Sequence, residues 1–103
     1  MALNDELLTK VKRHIAMTWE DSERESRLMT EIESAKRWLR RVGGEDIELT
    51  YADGSAELEL LLNRVWYSEN QVLDQFEDNY AGLIAEFQLN CEVVRNENTT
   101  ASA

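Results

Sequence analysis

The side chains that carry most enzymatic chemistry are scarce in this 103-residue chain, which has one histidine, His14, and one cysteine, Cys91. A lone histidine cannot build a multi-histidine metal site, and there is no Cys–His cluster to take zinc. His14 stands among Lys10, Lys12 and Arg13, the setting of a surface imidazole rather than a general base. Cys91 has no histidine near it in sequence, so inert packing describes it better than a nucleophile. The acid pairs Glu31/Glu33 and Glu77/Asp78 read most simply as solvated helix faces. "YADGSAELE" lacks the alternating Asp/Asn ligands of a calcium loop, and a turn leading into a capped helix explains it better. No Gly-rich phosphate loop is present. The expectation is a protein that is not an enzyme, with no catalytic residue, cofactor or metal.

Two constellations point instead to recognition. In "KRWLRR", Lys36, Arg37, Arg40 and Arg41 fall at i, i+1, i+4 and i+5, which places them on one helical face with Leu39 inward and Trp38 at its boundary. Cations at a helix C-terminus complement the dipole for a few tenths of a kcal/mol each. Four exceed what capping needs, so an anion-facing patch for an acidic protein or nearby DNA is the functional alternative. In "RVWYSENQVLDQFEDNY", Trp66, Tyr67 and Asn70 share a flank beside a core stripe of Val65, Val72 and Phe76. Amphipathic aromatics at a core edge explain most of that run. Adjacent Trp66 and Tyr67 cannot point the same way, and an interaction protein would place one of them at an interface. The candidate protein interface is therefore Lys36, Arg37, Arg40, Arg41, Trp66, Tyr67 and Asn70.

The elements that position these residues are predicted to be helical. There is no proline and there are only four glycines, a composition that leans to helix. Leu7, Leu8, Val11 and Ile15 make a first amphipathic helix, capped by Asn4 with Leu3 stapled to Leu8. The pattern fails around Met17–Asp21. Ser22 and Glu25 then form a capping box for a second helix carrying Leu28, Ile32, Ala35, Leu39 and Val42, which stops at Gly43–Gly44. From Ala56, capped by Ser55, one long helix is expected to about residue 79, although its apolar stripe has a polar gap at Glu69. "FQLNCEV" alternates Phe87, Leu89, Cys91 and Val93, which predicts a short strand pairing with Ile47–Tyr51. The expected fold is mainly α: a small bundle of three to four helices, one long, with a short two-stranded β element if those segments pair. Residues 1–94 are expected to form a single domain, and 95–103 a flexible polar tail able to order on binding.

The net charge of −10 is unevenly spread. Residues 1–41 carry a net of +1, whereas residues 42–103 carry −11, with only Arg64 and Arg95 against thirteen acids. Most of such a surface repels phosphate and is unsuited to coating nucleic acid. The asymmetry suits head-to-tail contacts between copies, and acidic surface also simply aids solubility. No stretch is apolar enough to span a bilayer, "MALNDELL" lacks a signal pattern, and a single cysteine fits a reducing compartment. A soluble protein made in the cytoplasm is expected.

"LLLNRVWYSENQVLDQFEDNYAGLIAEFQL" resembles the closing signature of phage head-tail connector proteins, the head-completion adaptors of tailed phages and prophages. The resemblance lies in Leu60–Leu62, Arg64, Trp66–Tyr67, Asn70, Phe76 and Asn79–Tyr80. "LLTKVKRHI", an acidic turn and a helix with Ile32, Ala35 and Leu39 closing at glycine extend it over residues 3–94. The connector after Gly44 is more acidic than that pattern, and the tail beyond Val94 has no counterpart in it. The resemblance implies a helical adaptor that docks on the portal protein in a ring of about twelve copies. Such a ring extends the DNA channel and gives the stopper or tail-completion protein a platform. DNA passes through without sequence-specific binding, and the location is the virion head–tail interface after assembly in the bacterial host cytoplasm. The alternative is a small acidic regulatory or DNA-mimic protein, against which "KRWLRR" counts because it interrupts the acidity.

Overall fold

The strongest apolar stripe in the sequence becomes the spine of the fold, helix α2 (Ser22–Gly43). A computed structural model describes residues 3–15, 22–44 and 46–102. Around α2 lie α1 (Leu3–His14), α3 (Ala56–Glu69), a 3-10 turn at Leu73–Gln75, α4 (Phe76–Asn79) and α5 (Ala81–Ser102). The overall extents of 51 × 34 × 20 Å make a slab about two helices deep, given interaxial spacings of 8–10 Å. The fold is mainly helical, as its composition requires. No described helix is long and apolar enough to cross a membrane.

The predicted stripe of α2 is buried in full at Leu28, Ile32, Ala35 and Leu39. α1 adds Leu7 and Val11 to the same core. α3 is the central helix and packs against α1, α2 and α5. Leu58, Leu61 and Val65 are buried on one side of it and Leu60 on the far side, so it buries apolar residues on two sides. Ser55 caps it, its Oγ accepting from Leu58 N–H at 3.2 Å with extended backbone at φ −75°. The Asn4 cap, the Leu3 staple, the Ser22 capping box and the break at Met17–Asp21 rest on positions or side chains outside the described residues.

The expected single helix from 56 to 79 ends instead at Glu69. Gln71 takes a left-handed conformation at φ 60°, Gln71 N–H reaches Ser68 O at 3.1 Å and Val72 N–H reaches Tyr67 O at 2.9 Å. These are the paired bonds of a Schellman stop, made here without the usual glycine. The break lets α4 drop Phe76 into the core, where it is 1% exposed.

The expected β element is not formed. Phe87–Val93 lies within α5, and Ile47–Tyr51 has no ladder partner among the described residues. The misleading alternation is two helical stripes superposed. Phe87 and Cys91, four residues apart, are buried, while Leu89 and Val93, also four apart, face outward. α5 also runs on through Ser102, into the residues expected as a tail. Arg95, assigned to that tail, is tied to the body: its Nε donates to Asp46 Oδ2 at 2.7 Å and its Nη2 to Gly43 O at 2.9 Å. Where α2 meets α5, a Cβ on Gly43 would lie 2.8 Å from the Phe87 ring and 2.9 Å from Cys91 Sγ, so only glycine permits this approach.

Candidate interaction surface

The four basic residues near the end of α2 differ in exposure. Arg37, Arg40 and Arg41 are exposed and have no ion-pair partner among the described residues. Lys36 turns inward, its Nζ 3.3 Å from Glu33 Oε1, one turn back. Lys36 and Arg40 line a groove closed on its other side by Ile47, Glu48, Leu49 and Tyr51 of the connector. Burial pushes the Tyr51 phenol up to about 12, so the hydroxyl at the groove stays neutral.

Trp66 and Tyr67 part company at the helix surface. Trp66 is 40% exposed. Tyr67 leans into an aromatic cluster, edge-on to Phe76 at 5.6 Å and to Tyr80 at 5.7 Å, and its hydroxyl accepts from Asn79 Nδ2 at 3.0 Å. Trp66 meets the edge of Tyr67 at 5.3 Å and, with His14, Asn63 and Tyr80, lines a shallow second groove. His14 Nε2 and Asn63 Oδ1 lie 3.3 Å apart across it. Asn70 does a structural job: its Nδ2 and backbone N–H both donate to Trp66 O, at 2.8 and 3.1 Å, closing the end of α3. The candidate interface therefore divides into a basic α2 surface and a separate groove at Trp66 and Tyr67.

Three residues outside the candidate set hold the space between those surfaces. The Arg64 guanidinium stands over the Trp38 ring, 5.4 Å from its centroid. Trp38 Nε1 donates to Glu77 Oε1 at 3.3 Å, and the Trp38 ring meets the edge of Phe76 at 5.5 Å. Burial weakens the hold of Arg64 on its proton, with Glu77 opposing that effect and Arg41 adding to it. Nothing local in sequence joins these positions. The only signal in the sequence is the placement of Trp38 at a core boundary; at 7% exposure its ring lies within the buried core. No family model, curated protein or solved structure matches the chain.

α5 carries a further outward stripe. Glu86, Leu89, Val93 and Glu97 follow one another at steps of three, four and four residues, all exposed. Leu89 is 59% and Val93 47% exposed, an apolar ridge with an acid at each end. On one chain, then, an unpaired cationic helix face coexists with an acid-flanked apolar one.

Proposed function

We propose that the protein is a structural head–tail connector, a head-completion adaptor of a tailed phage or prophage. It docks on the portal protein as a ring of about twelve copies, extends the DNA channel and offers the stopper or tail-completion protein a platform. The observation that carries this reading is the pairing of unlike surfaces on one chain: Arg37, Arg40 and Arg41 on α2, and the Glu86–Leu89–Val93–Glu97 stripe on α5. Unlike surfaces on the same subunit favour head-to-tail contacts, and such contacts close into rings when the rotation allows. The residue pattern from Leu60 to Tyr80 supports the same assignment. The acid-rich second half of the chain suits a channel through which DNA slides without sequence-specific binding. In this role the protein turns over no substrate and works at the virion head–tail interface.

The test is electron microscopy of particles made when the gene is silenced in its parent phage or prophage. Separate tails beside tailless heads that have lost their DNA are expected. Normal tailed particles would overturn the proposal and put the small acidic regulatory binder first.

A further inference from the structure

Helix α5 carries apolar side chains on two opposed stripes. Phe87 and Cys91 are buried against the body, and Leu89 and Val93 lie exposed on the other side between Glu86 and Glu97. Neither acid has an ion-pair partner among the described residues, and the one base of α5, Arg95, is held by Asp46 and Gly43 O. The outer side of α2 has the reverse character. Arg37 and Arg41 are one helical turn apart, exposed, and without an ion-pair partner among the described residues. The neighbouring acid Glu33 is taken by Lys36, 3.3 Å away. Arg40 stands apart from this pair, sharing its groove with Glu48.

We infer that α5 of one copy lies along α2 of the next. The stems of Arg37 and Arg41 cover Leu89 and Val93, with the Arg37 guanidinium on Glu86 and that of Arg41 on Glu97. This contact rests on the head-to-tail reading above. The spacings fit. Leu89 and Val93 are four residues apart, as are Arg37 and Arg41, so two parallel helices set one arginine over each apolar side chain. Glu86 and Glu97 are about 16 Å apart along α5, and the two arginines about 6 Å apart along α2. That leaves about 5 Å at each end, which an outstretched arginine side chain spans. An arginine is apolar along its methylenes and charged at its tip, the profile needed over an apolar ridge with an acid at each end. Like pairings of these surfaces fail on charge: two α5 ridges bring acid against acid, and two α2 faces arginine against arginine. The unlike pair leaves a free α2 face on one copy and a free α5 ridge on the other, so the contact repeats from copy to copy.

The test is sedimentation velocity of the full chain at rising concentration, on the wild type and two charge-reversed variants. One is Arg37→Glu with Arg41→Glu; the other is Glu86→Arg with Glu97→Arg. The wild type is expected to grow beyond the dimer. Each variant alone is expected to associate about tenfold more weakly, with its helical circular dichroism intact. An equimolar mixture of the two variants is expected to recover to within about threefold of the wild type, because every contact then joins opposite charges again. A wild type that stays monomeric, growth that stops at the dimer, a reversed variant that associates as before, or a mixture that fails to recover would each overturn the contact. The particles made on silencing the gene decide the connector role separately. Tailless heads, together with variants that associate as before, would keep that role and remove this contact; normal particles, together with recovery on mixing, would do the reverse.

Discussion

Arg27 of α2 clasps Glu69 at the end of α3 with two parallel bonds, Nε to Oε2 at 3.1 Å and Nη2 to Oε1 at 3.2 Å. Arg24 Nε adds an ion pair to Glu69 Oε1 at 3.5 Å. Glu69 is the one polar residue on the α3 apolar stripe, and its side chain is 8% exposed. The gap in the stripe is thus an ionic lock between α2 and α3, seated where α3 ends. Glu31 stands beside Glu69 and Ser68, its Oε2 buried without a hydrogen-bond partner among the described residues.

Removing the carboxylate should loosen this lock. Glu69→Ala leaves Arg24 and Arg27 without their shared partner, and is expected to cost about 1–3 kcal/mol in urea denaturation. Helical circular dichroism should be retained, because the apolar core is untouched.

Two carboxyls held together cannot both ionise freely, and the pair splits. Burial, with Glu69 alongside, pushes Glu31 up from 4.5 to about 7, while the Arg27 bonds hold Glu69 below the usual range. The stabilisation from protonated Glu31 is complete below pH 4.5 and is lost as pH rises through about 7. The Glu69 contribution has the opposite sign: it is present above 4.5 and lost as pH falls through its lowered value. Denaturation midpoints of the wild type should therefore fall between pH 5 and 8 relative to those of Glu31→Gln. Parallel pH profiles for the two proteins would remove Glu31 as the cause.

Gln71 occupies a left-handed position at φ 60° that glycine fills without strain. Gln71→Gly should stabilise the fold by about 0.5–1 kcal/mol, the left-handed penalty less the entropy that glycine adds to the unfolded chain. The measurement is the shift in thermal midpoint.

Gly43→Ala should do the opposite. The added methyl meets the buried ring of Phe87 and the sulfur of Cys91, both under 3 Å away. Separating α2 from α5 to admit it should cost about 1–3 kcal/mol, read as a lower urea midpoint.

Arg37→Glu with Arg40→Glu removes two exposed cations that have no ion-pair partner among the described residues. The fold should survive, with stability changed by about 0.5 kcal/mol or less. On the proposed connector role, complementation of the silenced gene should fail, giving tailless heads. Full recovery of tailed particles would reduce the patch to helix-end decoration.

Sequence alone determined what local periodicity and local chemistry control. The stripe from Leu28 to Leu39 set α2 and its buried face, Ser55 set the start of α3, and composition set a helical fold. Each is decided within a few residues of chain, where helix geometry is regular. Tertiary structure decided the rest. Period-two apolar spacing from Phe87 to Val93 fits a strand or two opposed helical stripes equally well, and only packing of Phe87 and Cys91 against the body selects the helix. The end of α3 at Glu69 has no glycine or proline to announce it. It is fixed by Arg24 and Arg27, 42 or more residues away, and by Phe76 turning into the core beside Trp38. The candidate interface separated for the same reason: which of Trp66 and Tyr67 faces solvent depends on Tyr80 and Phe76, residues that one helix face cannot reveal.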